Sequence, residues 1–240
     1  MGDSLSKKSL KVIGYATYGF PDVLTSRRFM EALLEEGFSG IEVGVPFSDP
    51  VADGPAIQLA HSVALKNDVS VGDVLKFAAE LKEKYPQKEV YVMSYLNPLA
   101  RAGFRNLPSV DGYIIPDLPI CEYSSSKFAF RYIPLISPNS PQEDIDKALE
   151  IDSPFVYLIS LYGTTGADFP KDLKKLEEIA CYVRERGHRV YVGFGVNSHE
   201  KAKRVNEFAD GAVVGTHLLK ILAEKGLRKA LKEASIIMGK

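Results

Sequence analysis

Short apolar runs alternate with longer amphipathic stretches along nearly the whole chain. Runs rich in β-branched and aromatic residues fall at residues 12–18, 40–45, 90–95, 112–117, 132–137, 155–160, 190–195 and 212–216. Their length and composition predict strands. Between them, apolar positions recur at helical spacing over residues 24–36, 56–67 with 71–85, 122–130, 142–151, 173–186, 199–208 and 217–237, and more weakly near 99–104. Strand alternating with helix predicts right-handed parallel crossovers, and eight such units close naturally into a (β/α)8 TIM barrel, an α/β fold. An open doubly wound sheet is the structural alternative, but the chain has no early GxGxxG turn and six strands would suffice for that fold. Punctuation supports the boundaries: Pro55 suits a first helical position, Ser198 a cap, and Gly37 and Gly187 helix stops.

Length and composition narrow the picture. At 240 residues the chain fits one barrel domain over residues 1–240, with no interdomain linker or low-complexity segment. With 45% hydrophobic residues, 25% charged residues and a formal net charge of -1, neither a disordered tail nor a basic nucleic-acid surface is expected. The first eleven residues have no apolar run suited to a signal peptide, and no later stretch is long enough to span a bilayer, so the expected location is cytoplasmic. Cys121 and Cys181 lack metal-site or redox spacing and read as reduced thiols, buried or inert. His61, His188, His199 and His217 are scattered without the spacing of zinc ligands, so no metal is expected.

The densest chemistry lies in residues 40–55, GIEVGVPFSDPVADGP. Strand alternation sends Ile41, Val43 and Val45 to one face and Glu42 with Gly44 to the other. If helices cover the apolar face, Glu42 points into the closed interior, where burial raises a carboxyl pKa and suits it to general acid work. Asp53 follows in the next loop. Barrel sites form at the carboxyl ends of strands, which adds Thr17, Tyr95, Asp117, Tyr157, the 163–166 loop, Phe194, Gly195, Gly215 and Thr216. No serine, cysteine or lysine in this set has an adjacent base, so carboxylate acid/base chemistry fits better than covalent catalysis. Backbone N–H groups after the seventh and eighth strands can cradle a phosphate, and Gly163 to Gly166 can complete it as a hinged lid. Each feature has a bland counterpart: a paired core glutamate, a structural Asp-Gly-Pro turn, glycines needed only for packing, core tyrosines with satisfied hydroxyls, and Asp117 as a turn residue.

Taken together, GVPFSDPVADGP, MSYLNP at 93–98, IIPDLP at 114–119, GTTGA at 163–167, VGFGV at 192–196 and AVVGTH at 212–217 closely resemble the tryptophan synthase α-subunit family. The resemblance implies a barrel lyase that cleaves indole-3-glycerol phosphate to indole and glyceraldehyde 3-phosphate. By it, Glu42 falls on the general acid/base and Asp53 on the second catalytic carboxylate. Tyr157 matches a tyrosine near the glutamate. Tyr15, Ile57, Met93, Tyr95 and Ile114 match the indole pocket, and Gly166, Phe194, Gly195, Gly215 and Thr216 the phosphate site, with threonine where serine is usual. The resemblance also implies docking on a β subunit in an α2β2 complex through segments 46–53 and 117–126, which include Pro46, Asp49 and Asp117. Pyridoxal phosphate is expected only on that partner, which converts indole to L-tryptophan.

Leu161 departs from the family's usual arginine, the segment before the first strand offers no clear helix, and the third and fourth connections look short. Two other readings stay open: a non-catalytic subunit that activates its partner, and another phosphate-binding barrel of histidine or tryptophan synthesis.

Overall fold

Strands that are apolar on both faces must be covered twice, and this one requirement shapes the molecule. The computed structural model describes residues 10–124, 127–159, 173–193 and 195–240. Within them β1 (Val12–Thr17), β2 (Gly40–Gly44), β8 (Val190–Gly193) and β9 (Gly211–Val214) are buried at every position. With β3 (Glu89–Met93), β4 (Gly112–Ile114), β5 (Tyr132–Ile133), β6 (Leu135–Ile136) and β7 (Val156–Ile159) they form one sheet in the order β5-β4-β3-β2-β1-β9-β8-β7-β6. Every pairing is parallel.

The expected fifth strand at 132–137 is thus two short pieces on opposite ends of that order. Pro134 separates them because it has no N–H to donate to a ladder. Its carbonyl accepts from Tyr157 N at 2.9 Å, so the run changes partner there: β5 pairs with β4, and β6 pairs with β7. The peptide link through Pro134 closes the ring, giving the eight-unit (β/α)8 barrel.

Two apolar layers result. Ile13, Tyr91, Ile114, Ile133, Phe155, Tyr157, Tyr191 and Val213 fill the inside, with Met93, Leu135 and Ile159 packed against them. Ile41, Val43 and Val45 belong to the layer between strands and helices. Glycines make room for the inner tyrosine rings. A Cβ at Gly211 would lie 2.0 Å from Tyr191 Cε1, one at Gly193 2.4 Å from the Tyr157 hydroxyl, and one at Gly44 2.6 Å from the Tyr15 hydroxyl.

The helices outside are α1 (Val23–Glu36), α2 (Pro55–Lys66), α3 (Val71–Lys84), α4 (Leu96–Ala102), α5 (Gln142–Glu150), α6 (Lys174–Glu185), α7 (His199–Phe208), α8 (Thr216–Lys225) and α9 (Leu227–Ile237). Pro55 opens α2, Ser198 caps α7 by accepting from Lys201 N at 3.3 Å, and Gly37 ends α1 at φ 112°.

Three expectations are corrected. The helix expected over 122–130 is absent among the described residues. Only a 3-10 turn at Ile120–Glu122 forms, and Tyr123, Phe128 and Phe130 pack as an aromatic cluster with Phe104. Serine is a weak helix former and three stand together at 124–126, while the rings on either side of that run pack against Phe104 and one another. The single helix expected over 217–237 is two, because Gly226 adopts φ 75°. Both cysteines are free and exposed rather than buried. No helix of the described residues is long and apolar enough to cross a membrane.

Candidate active site

The alternation of β2 places Glu42 on the inner face. It pairs in register with Tyr15 of β1 and Tyr91 of β3, the latter an inner-cluster residue. Glu42 is 1% exposed, and among the described residues its Oε1 has no hydrogen-bond partner. Burial alone pushes its pKa up from 4.5 to about 8. The carboxyl is therefore mainly protonated at neutral pH, as a general acid requires.

Asp53 lies in the loop between β2 and α2 and is 7% exposed. Its Oδ2 accepts from the Tyr95 hydroxyl at 2.8 Å and lies 3.3 Å from His61 Nε2. The Tyr95 oxygen in turn accepts from Ala52 N at 2.9 Å, and Phe47 packs on the Tyr95 ring with centroids 5.1 Å apart. A narrow cleft at the carboxyl end of the barrel is lined by Tyr15, Val45, Asp53, His61, Met93, Ser94, Tyr95 and Pro116. Tyr15 joins the two carboxyl groups. Its hydroxyl pKa is raised first by burial, then by Asp53, and further by Glu42, and it bonds Thr17 Oγ1 at 3.0 Å. The Tyr157 hydroxyl is likewise raised by burial and then by the nearby Glu42.

The structure thus brings Tyr15, Asp53, Met93 and Tyr95 to one cleft, with Glu42 and Tyr157 beside Tyr15 inside the barrel. Ile114 pairs in register with Met93 and is buried in the inner cluster. Ile57 is buried on the first turn of α2 but does not line the cleft. His61, Ser94, Val45 and Pro116 do line it, and the sequence reading passed over them. His61 carried a signal: it shares the buried stripe of α2 with Ile57, Ala60 and Ala64, where an imidazole needs a polar reason to be.

Around the barrel, β8 and β9 are neighbours, so the loops that follow them are adjacent. Gly195 has φ 77°, and Gly215 with Thr216 opens α8, whose first turn has no side-chain cap. These groups offer backbone donors to an anion. Packing also demands one of the glycines, since a Cβ at Gly215 would lie 2.9 Å from Tyr15 Cβ. Gly166, Phe194, Leu161 and the 163–166 loop lie outside the described residues.

On the rim, Asp49 and Asp117 are exposed and Pro46 is buried. Val51, in the same loop as Asp49, is 67% exposed. Asp117 Oδ1 accepts from Leu96 N at 2.8 Å, fixing the start of α4. Among the described residues no group of three or more His, Cys, Asp or Glu side chains could hold a metal ion.

A family model described as "Tryptophan synthase alpha chain" matches residues 1–239. The chain is 40% identical over 240 residues to the tryptophan synthase alpha chain of Thermotoga petrophila, covering 95% of this chain and 98% of that one. It is 37% identical over 248 residues to that of Aquifex aeolicus, covering 95% and 94%. Among solved structures, a chain from the tryptophan synthase α2β2 complex of Pyrococcus furiosus matches with TM-score 0.83 and 34% identity, over 97% of this chain and 99% of that one. A chain of Mycobacterium tuberculosis tryptophan synthase matches with TM-score 0.84 and 33% identity, over 97% and 92%.

Proposed function

This chain belongs to the tryptophan synthase alpha chain family, and from that premise we propose that Glu42 and Asp53 divide the acid/base work of cleaving indole-3-glycerol phosphate. The reaction is a retro-aldol cleavage. Protonation of indole C3 by Glu42 places positive charge on the ring nitrogen. An ionised Asp53, accepting the indole N–H, stabilises that charge. The bond from C3 to the glycerol chain then breaks as the carboxylate of Glu42 takes the adjacent hydroxyl proton. Indole and glyceraldehyde 3-phosphate leave, and Glu42 is again protonated. The reaction needs the two carboxyl groups in opposite protonation states, and the dry barrel interior around Glu42 supports its part as the proton donor.

In this reading the apolar cleft wall formed by Tyr15, Met93 and Tyr95, with Ile57 and Ile114 behind it, receives the indole. The donors of Gly195, Gly215 and Thr216, with Gly166 and Phe194, hold the phosphate. The β subunit is the partner of the family's α2β2 complex and takes the released indole to L-tryptophan; Pro46, Asp49 and Asp117 mark the docking rim. Pyridoxal phosphate belongs to that partner, the whole chain is one barrel domain, and its place is the cytoplasm.

The buried Glu42, whose Oε1 has no partner among the described residues, carries the proposal. Replacing it with glutamine removes proton transfer while keeping shape, so Glu42→Gln should lose indole release and retain affinity for glycerol phosphate. Retained turnover would overturn the assignment. Turnover present in wild type and lost in Glu42→Gln would also tell against the alternative of a purely activating subunit, for which a catalytic carboxyl has no use.

A further inference from the structure

His61 is 3% exposed on α2, and its two ring nitrogens face different groups. Nδ1 accepts from Phe47 N at 3.1 Å. A backbone amide can only donate, so Nδ1 carries no proton and the ring proton sits on Nε2. Among the described residues that nitrogen has no hydrogen bond of good geometry, yet it stands 3.3 Å from Asp53 Oδ2. A core histidine present only for packing would have no need of a carboxylate at its donor end. Here a buried ring nitrogen stands beside the oxygen that Tyr95 also addresses at 2.8 Å.

We propose that His61 is a positioning residue for Asp53. Tyr95 and His61 converge on Oδ2 from the end of β3 and from α2, and each is itself anchored by a backbone amide of the 46–53 loop, Ala52 and Phe47 respectively. Two donors on one oxygen fix the rotation of the carboxylate and present Oδ1 to the indole N–H. The Tyr95 bond is the shorter of the two contacts, and the His61 ring, 3.3 Å away, limits how far the carboxylate can turn about it. This rests on the reading of Asp53 given above.

Three variants separate the two ends of the ring in the full chain with its β partner. His61→Gln keeps an N–H able to reach Asp53. His61→Asn keeps an acceptor for the Phe47 amide but is too short for Asp53. His61→Leu keeps neither. Steady-state indole formation and thermal midpoints are measured for each, beside wild type and Asp53→Asn. The expected result is a fall in kcat of about 10-fold for the Asn and Leu variants and less than about 3-fold for Gln, with KM within about 2-fold throughout. Asp53→Asn without activity and His61→Leu at wild-type kcat would overturn the His61 role alone. Gln and Asn variants losing kcat equally, in step with their melting temperatures, would also overturn it, since that pattern belongs to a packing role. Full activity in Asp53→Asn would overturn the site assignment and this role together.

Discussion

At the amino end of the barrel Arg189 donates to Glu89 Oε1 at 2.7 Å and also bonds the Tyr191 hydroxyl, which reaches Glu89 Oε2 at 3.1 Å. At the carboxyl end Glu42 sits on the neighbouring strand, more deeply buried than Glu89, and forms no ion pair among the described residues. Both ends place a glutamate between tyrosines. The difference is the cation. A guanidinium beside a carboxylate fixes its charge and its place, so the lower end is a clasp between β3 and the start of β8. Without one, burial keeps the upper carboxyl protonated and able to exchange its proton. Unpaired burial costs stability, and at Glu42 that cost falls on the carboxyl placed for chemistry.

The largest test of this contrast removes the upper carboxyl. Glu42→Gln should lower kcat for indole formation by at least about 100-fold. It should also make the protein more stable at neutral pH. With a pKa raised from 4.5 to about 8, Glu42 keeps its proton in the fold where the unfolded chain releases it. Its cost is therefore absent below pH 4.5 and grows as pH rises towards 8. Urea denaturation should show the variant gaining up to roughly 3 kcal/mol over wild type at pH 7 and nothing at pH 4. An equal difference at both pH values would mean that Glu42 is not protonated in the fold.

Next in size is the anion cradle, which lies at the same end but works through backbone donors. Thr216→Asp puts a negative charge at the first residue of α8, where the helix dipole tolerates it and a phosphate does not. KM for the phosphate substrate should rise about 10-fold or more with no loss of thermal stability; an unchanged KM would remove Thr216 from the phosphate site.

The lower clasp should behave in the opposite way to Glu42. Arg189→Met leaves Glu89 without its guanidinium and should cost about 1–3 kcal/mol in denaturant titrations, with kcat unaltered. A fall in kcat without a fall in stability would erase the distinction between the two ends. The smallest effect is expected at Asp117, a rim carboxylate with a structural donor. Asp117→Ala releases Leu96 N at the head of α4 and should cost about 1 kcal/mol or less in the isolated chain. A larger loss in affinity for the β subunit would assign Asp117 to docking as well.

Much of this contrast can be read from residue order. GIEVG alternates, so once helices cover Ile41 and Val43, Glu42 must face inward. Tyr15 follows from the family resemblance alone, and the parallel register of β1 and β2 is what sets it beside Glu42. Legibility failed where local pattern and packing disagreed. Residues 122–130 carry apolar spacing suited to a helix, but the rings of Tyr123, Phe128 and Phe130 pack as a cluster with Phe104 instead. The run at 132–137 reads as one strand, yet Pro134 divides its hydrogen bonds between two neighbours. His61 was counted with scattered histidines, because chain distance hides that eight residues of turn and helix return its ring to Asp53.

By itself, then, the sequence determined the alternation of strands and helices, the inward face that holds Glu42, and the positions of the glycine turns, since each follows from periodicity or backbone sterics within a few residues. The closed fold alone settles that Arg189 pairs with Glu89 while no described cation reaches Glu42, and that His61 and Tyr95 meet at one oxygen of Asp53. Those outcomes depend on distances between segments far apart in the chain, and on the dry interior that exists only once the ring of strands has closed.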